Sequence, residues 1–381
     1  MRPSDSPAQQ ETRLTLVIGN LGAGGAERNL VRLAEALADR GFAVTLLTLN
    51  QLAPDFYPVA ENVRRVQADS AAEASPRWFD LRGQARRRAA TRHAILDTQP
   101  HLVISFIDTV NITVLGTLRG SGVPVIASER IDWRAHTLNW RWHLLRRLIY
   151  PTAARVVCLA RAPVLSAQNY WPRWRCVHIA NPVPALSDSQ AQRPAWFGPR
   201  NLIAVGRLTH QKGFDLLLQA FAANADLDDW HLTILGEGPD RVALTAQAEA
   251  LDLAPRVHLP GTVADPFPLL KAADLFVFSS RYEAFGMALA EAMACGLPVI
   301  AFDCPSGPAD IVRNGVDGLL VPPEDVLALA AAMRQLMEDP DSRARLAAQA
   351  PTVVDRFSPE RIYGQWEALV HEVLSEHGEA H

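Results

Sequence analysis

Lysine is almost absent from this chain: Lys212 and Lys271 are the only two among 37 Lys and Arg in 381 residues. The four cysteines, Cys158, Cys176, Cys295 and Cys304, stand singly in apolar stretches with no C-x-x-C pair. That excludes a disulfide scaffold and a Cys-type zinc site, and suits a reducing cytoplasm. Long apolar runs are missing too. The most apolar stretch, Ala284–Phe302, is broken by Glu291, Gly296 and Pro298, so no segment reads as a spanning helix. The start, MRPSDSPAQQETR, is polar and proline-broken, unlike a secretory signal. No Asp-x-Asp sits at a strand end and no His cluster has ligand spacing, so a metal is not expected. The expectation is a soluble, cytoplasmic protein, or one lying on a surface.

What is present is ordinary globular material, 49% hydrophobic and 20% charged, at a length that favours two domains. The net charge of −4 hides an asymmetry. Up to Trp196 there are 24 Arg and 15 acids, a balance of +9; from Phe197 onward there are 11 Arg, 2 Lys and 26 acids, a balance of −13. A basic half joined to an acidic half points the first half at an anionic partner, a membrane face or nucleic acid, or else reflects solvated arginines.

Short apolar runs alternate with helix-period segments. Strands are expected at Leu14–Gly19, Ala43–Leu49, Leu102–Phe106, Pro124–Ser128, Arg155–Leu159 and Cys176–Ile179. After a Pro-, Ser- and Gln-rich lapse the alternation restarts, with strands at Leu202–Gly206, His231–Leu235, Val257–Leu259, Leu275–Ser279, Pro298–Phe302 and Gly318–Val321. Buried parallel strands separated by helices make an α/β protein of two doubly wound domains. The expected division is 1–181, a linker at 182–200, a second domain at 201–358, and a C-terminal helix in 359–381 that crosses back to the first domain. Ligands of such sheets bind where loops leave the strand carboxyl ends, so the cleft between facing domains is the expected site.

Three clusters carry chemistry. Val205-Gly206-Arg207-Leu208 with Gln211-Lys212-Gly213 places one of the two lysines five residues after an arginine, in a loop that opens a helix. Two cations at a helix start suit a diphosphate, although a solvated loop would look the same. Gly236-Glu237-Gly238-Pro239 closes a strand, where glycine lets backbone approach a ligand or simply makes a turn. In Ser279–Ala292, Glu283 lies in a turn before Gly286, and Glu291 is the single charge in the apolar helix MALAEAMA. A lone carboxylate there must be hydrogen-bonded, ion-paired or turned to a wet cleft. The backbone N–H groups of Gly286, Met287 and Ala288 are placed to receive a phosphate. In the first half, Gly22-Ala23-Gly24-Gly25-Ala26-Glu27 follows the first strand but lacks the third glycine and the acid of a dinucleotide fingerprint. Gly24 and Gly25 therefore read as backbone donors toward the far side of the cleft.

In this order, Gly-Gly-Ala-Glu, Val-Gly-Arg-Leu with Lys-Gly, Gly-Glu-Gly-Pro and the paired glutamates in Ser-x-x-Glu-Ala-Phe-Gly resemble glycosyltransferase family 4. The later Ser306–Val312 and Asp317–Val321 look like its C-terminal domain. The resemblance runs from Gly24 to about Val321 and implies the GT-B fold, two Rossmann-like domains facing a cleft. It implies a retaining enzyme that uses a nucleotide sugar as substrate, with no cofactor and no metal. Arg207 and Lys212 would hold the donor diphosphate, Glu291 the ribose, and Glu283 with backbone from Phe285 to Met287 the transferred sugar. Gly206 and Gly236 would line the donor site, Ala288 would add an amide, and backbone at Thr262 and Val263 would meet the base. The branch it resembles builds bacterial surface polysaccharides on lipid-linked acceptors, so the expected reaction moves a hexose or N-acetylhexosamine, from UDP, onto a lipid-linked or growing saccharide. A GDP-mannose donor, or a non-catalytic nucleotide-sugar binder, is the alternative.

One departure concerns the first domain. Where many relatives carry a His, this chain reads Ser128-Glu129-Arg130-Ile131-Asp132. Arg130 would contact the donor, and Glu129 or Asp108 the acceptor. Nearby, Trp133–Tyr150 puts Leu138, Trp142, Leu145 and Ile149 on one stripe with Arg134, Arg141, Arg146, Arg147, Trp133 and Trp140 around them, and Arg82–Arg92 adds positive charge. The expectation is an anionic membrane interface, against a stripe that packs on the sheet; no nucleic-acid module is present.

Overall fold

The computed structural model describes residues 11–22, 24–50, 54–68, 81–133, 140–170, 175–183, 190–194 and 196–378. Ala23, Arg134, Leu138, the polar start and residues 184–189 and 195 of the linker lie outside the described residues, as does the side chain of Arg82. The chain divides into two compact units. One takes the residues up to Cys158 together with Val164–Ile179 and Tyr363 onward; the other takes Leu159–Pro163 and Ala180–Ile362.

The first unit holds a seven-stranded sheet of β1 (Arg13–Ile18), β2 (Ala43–Thr48), β3 (Arg64–Gln67), β4 (Leu102–Phe106), β5 (Val125–Ser128), β6 (Arg155–Cys158) and β7 (Cys176–His178), in the order β3-β2-β1-β4-β5-β6-β7. The second holds β8 (Arg200–Val205), β9 (Trp230–Leu235), β10 (Val257–Gly261), β11 (Leu275–Phe278), β12 (Val299–Phe302) and β13 (Leu319–Val321), in the order β10-β9-β8-β11-β12-β13. Every strand pairing among the described residues is parallel. Helices cover both faces, so the central strands are buried on both sides and read as near-continuous apolar runs. In β1, Leu14–Ile18 is buried throughout, and its one polar residue, Thr15, is satisfied by the Thr98 hydroxyl at 2.6 Å.

The edge strand Arg64–Gln67 and the helix Asp108–Leu118 escaped the sequence reading. The first carries only one apolar residue in four, because an edge strand needs no second buried face. The second is apolar nearly all round and is buried on most of its length, so it lacks an amphipathic period.

The C-terminal helix Pro359–Gly378 packs in the first unit from Tyr363 onward. Trp366, Leu369, Val370 and Val373 are buried, with the Trp366 ring 6.2 Å from Phe106 at the end of β4. Arg155 on β6 is held by Glu372 and Glu376 of the same helix. Trp366→Ala should lower the stability of the first unit by roughly 3–5 kcal/mol, the cost of emptying a buried aromatic site. Urea unfolding followed by intrinsic fluorescence measures it, and an unshifted transition would deny the helix that role.

Candidate active site

In both sheets the strand order reverses beside the first strand of the unit, between β1 and β4 and between β8 and β11. A doubly wound sheet binds its ligands in the crevice outside that reversal, at the strand carboxyl ends. In the second unit the two loops leaving that point are Gly206–Gly213 after β8 and Ser279–Gly286 after β11. These are two of the clusters singled out by composition.

The loops are laced together by backbone. The Arg281 N–H donates to the Gln211 carbonyl at 2.8 Å, the Ser279 hydroxyl to the Lys212 carbonyl at 2.9 Å, and the Gln211 amide to the Tyr282 carbonyl at 3.0 Å. They approach so closely at Gly213 (φ +61°) that a Cβ there would lie 2.1 Å from the Ser279 carbonyl oxygen. Gly236 (φ +144°), after β9, is pinned likewise: its Cβ would meet the Gly206 carbonyl oxygen at 1.9 Å. Only glycine fits either place. Arg281 anchors the second loop, with bonds of 2.8 and 2.7 Å to Asp215 and one of 2.9 Å to Glu324. Burial would raise the Asp215 carboxyl, but the Arg281 bonds and charge outweigh it and hold it below its ordinary value.

Lys212 and Glu283 meet where the two loops touch. The Lys212 ammonium bonds Glu283 Oε1, which also accepts from the Ser280 hydroxyl at 2.8 Å. Oε2 has no hydrogen-bond partner among the described residues. The Ser306 hydroxyl donates to the Glu283 backbone carbonyl and fixes the residue from behind. Arg207, on the other hand, is exposed, and its guanidinium makes no ion pair with another described residue.

Gly286 caps the helix Met287–Ala294 without a side chain, and Ala290 is the first N–H to bond back, to the Gly286 carbonyl at 3.1 Å. The amides of Met287, Ala288 and Leu289 therefore have no acceptor within the helix. Phe285 is buried edge-on against Phe357, with centroids 5.3 Å apart, which locks the turn. Glu291 is buried about one turn inside the helix. Thr262 and Val263 follow β10 directly, and the Gly236 N–H ties that strand end to the loop after β9 through the Gly261 carbonyl at 2.9 Å. Glu237 is not part of this constellation: it pairs with Arg241 one helical turn on. Sequence reasoning missed Ser280 and Ser306 as partners of Glu283. The three-residue spacing of Ser280 and Glu283 was the available signal for the first; nothing local marks Ser306.

In the first unit, Gly24 caps the helix Gly25–Ala38, and Glu27 folds back over it so closely that a Cβ at Gly24 would lie 2.0 Å from its carboxylate. Gly25 faces open space. After β4, Ile107 adopts φ +78°, a strained setting for a β-branched residue, and delivers Asp108 to a helix start where its carboxylate accepts from the Thr109 N–H at 2.7 Å. After β5, Glu129 is buried and accepts from the Tyr150 hydroxyl. Tyr150 in turn receives a 3.3 Å bond from Asn111, whose amide also reaches the Ser128 carbonyl at 3.0 Å and whose carbonyl accepts from Ser105 at 2.7 Å. Burial pushes the Glu129 carboxyl up to about 7, against the pull of Arg146 and of the Tyr150 bond, with Asp108 and Asp132 adding to the rise. Arg130 lies over the Phe106 ring at 3.5 Å, and burial lowers it to about 9, which leaves it cationic at neutral pH. Asp132, Tyr150 and Asn111 were missed as neighbours of Glu129.

The basic segment differs from expectation. The described helix is Trp140–Ile149, and Arg146, expected on its outer face, is 2% exposed. Its guanidinium reaches the Trp133 carbonyl at 3.3 Å, while Trp142 and Ile149 pack on the core. With the inner side taken by these three, the apolar residues left outside are Trp140, Leu144, Leu145 and Leu148.

Two family models match side by side, "Glycosyltransferase Family 4" over residues 23–185 and "Glycosyl transferases group 1" over residues 189–353. The chain belongs to glycosyltransferase family 4. The enzyme is 26% identical, over 95% of its length and 99% of the relative's, to a Campylobacter jejuni N-acetyl-D-galactosaminyltransferase named for a diNAcBac-PP-undecaprenol-linked substrate. It is 30% identical over 83% of its length to an exopolysaccharide phosphotransferase of Streptomyces coelicolor, and spans a third of that longer protein. HepE of Anabaena, solved in complex with UDP and glucose, superposes with a TM-score of 0.77 at 20% identity, covering 95% of this chain and all of that one. Each unit is thus one Rossmann-like domain of the GT-B fold.

Two outcomes follow from the packing. Gly236→Ala should abolish nucleotide binding, measured by titration calorimetry, while the far-UV spectrum stays that of a folded protein; unchanged binding would show that the close approach to Gly206 is not required. The Glu129 carboxyl, raised from 4.5 to about 7, binds its proton more tightly folded than unfolded. Its contribution is therefore present below pH 4.5 and is lost as pH rises through 7, by on the order of 3 kcal/mol. Glu129→Gln should remove that component from the pH dependence of unfolding, and an unchanged difference between pH 5 and pH 8 would contradict it.

Proposed function

We propose that the enzyme transfers a hexosyl or N-acetylhexosaminyl group from a UDP-sugar, with retention and without a metal, to a hydroxyl of a lipid-linked or growing saccharide at the inner face of the cytoplasmic membrane. The observation that carries the reading is the constellation at the β8/β11 reversal: the Lys212–Glu283 pair, the exposed Arg207 and the uncapped amide end of the helix Met287–Ala294. Together they supply two positive side chains and free N–H groups for a diphosphate. The glucose and UDP of HepE, and the undecaprenol diphosphate in the name of the Campylobacter enzyme, support the donor and acceptor classes. The positive balance of the first half supports the membrane location.

In this reading the bond from the sugar's anomeric carbon to the β-phosphate oxygen breaks, and the diphosphate leaves with the electron pair. Arg207 and Lys212 neutralise that charge as it grows, the role a metal plays elsewhere. The acceptor oxygen bonds the anomeric carbon from the same face and passes its proton to the departing phosphate. When the diphosphate draws Lys212 away, Glu283 keeps Ser280 on Oε1 and grips a sugar hydroxyl with Oε2, helped by backbone from Phe285 to Met287. Glu291 takes the ribose hydroxyls, Gly206 and Gly236 let backbone approach the donor, and Thr262 and Val263 meet the base. In the first unit Asp108 and Glu129 serve the acceptor, and Arg130 and the backbone of Gly24 and Gly25 serve the donor.

Arg207→Gln should cut sugar transfer about 100-fold or more with no change in melting temperature, because that side chain holds nothing in the fold. Lys212→Gln should lose as much and also melt earlier, since it leaves a buried carboxylate unpaired. Transfer by the wild type should persist in EDTA. Wild-type rates in the Arg207 variant would overturn the donor assignment, and EDTA-sensitive transfer would overturn metal independence.

A further inference from the structure

The helix Trp140–Ile149 carries Trp140, Leu144 and Leu148 at a spacing of four, one strip along its outer face, and they are 68%, 49% and 64% exposed. Single exposed apolar residues are ordinary; a continuous strip of three on a ten-residue helix is not. At 100° per residue Arg147 flanks the strip on one side and Arg141 on the other, both exposed. The helix contains no Asp or Glu. A second acid-free helix, Leu81–Leu96, packs on the same helix Asp108–Leu118 that Trp140–Ile149 packs on: Arg88 donates to the Gly116 carbonyl at 2.9 Å and Arg92 to the Thr117 carbonyl at 2.7 Å. Ile149 packs at the same Gly116, 3.6 Å from where its Cβ would be. Positive charge therefore flanks the strip on its own helix and recurs on a second helix packed against the same Asp108–Leu118.

We propose that the strip Trp140–Leu144–Leu148, with Arg141 and Arg147, is a docking surface for an anionic lipid bilayer; this rests on the reading of a membrane-carried acceptor and names the surface that meets the membrane. An amphipathic helix with arginines beside an aromatic and leucines lies in the headgroup plane, apolar face down and cations on the phosphates. A second copy of the chain is a poor occupant, because symmetric contact would bring arginine against arginine. The inner side of the same helix carries buried Arg146 and leads into Tyr150, the partner of Glu129, so the docked surface and the acceptor-side carboxylate belong to one packed element.

Flotation with vesicles of phosphatidylcholine containing phosphatidylglycerol, against pure phosphatidylcholine, tests this. The wild type should float with the anionic vesicles and release at high salt. Leu144→Ser/Leu148→Ser should weaken partitioning at least tenfold, and Arg141→Gln and Arg147→Gln about fivefold each. Melting temperature and hydrolysis of the nucleotide sugar in solution should not change in any of them. Flotation indifferent to phosphatidylglycerol, or undiminished in the double serine variant, would overturn the proposal. So would a wild type that stays with the buffer and forms a dimer which the serine variant dissolves, since the strip would then belong to a second copy. Docking without nucleotide-sugar hydrolysis would instead leave the surface standing and remove the donor reading.

Discussion

A lysine and a glutamate that meet across two loops hold the second unit's site together. The loops come from strands adjacent only because the sheet reverses its order there, and no local signal in either loop would bring them together. Once β8 and β11 lie side by side, Gly213 lets the backbones touch, Ser279 and Gln211 tie one to the other, and Arg281 clamps the second loop to Asp215 and Glu324. The ion pair then sits in a mostly desolvated corner where its attraction is strong and its geometry fixed. On the proposed reading, an incoming diphosphate competes for a lysine already held in position, so little entropy is lost on binding.

The two units use the same sheet order differently. In the second, the helix end at Gly286 is free of a capping side chain and open to an anion. In the first, the helix after β4, the strand that matches β11, starts at Asp108, whose own carboxylate takes the Thr109 N–H. Around Glu129 the first unit instead builds a buried polar chain of Tyr150, Asn111, Ser105 and Ser128. Such a network fixes one geometry and places a carboxyl that titrates near neutrality beside Asp108 and Asp132. On the proposed reading, the diphosphate is held by the second unit and the acceptor hydroxyl by the first.

Much of this was legible in the sequence, for identifiable reasons. Strands buried on both faces announce themselves as apolar runs, and the glycines Gly213 and Gly236, which sit against another backbone, mark the loops that carry the motifs. Scarcity made Lys212 conspicuous. What was not legible depends on direction. Helical spacing put Arg146 among the surface cations, but a guanidinium can be turned inward when carbonyls such as that of Trp133 receive it. The strip that does face outward, Trp140–Leu144–Leu148, was overlooked because Trp142 and Ile149 formed an equally good stripe, and periodicity does not say which stripe packs. The tie from Tyr150 to Glu129 spans 21 positions and needs the sheet to exist.

On the proposed function, one pole of the second sheet binds a nucleoside diphosphate through Arg207, Lys212 and the helix end at Gly286. A crystal structure of the enzyme with UDP bound tests it most directly. The account requires the diphosphate within hydrogen-bond distance of Lys212 and Arg207, with the ribose hydroxyls on Glu291. A UDP seated elsewhere, or one whose phosphates face away from those two cations, would contradict it.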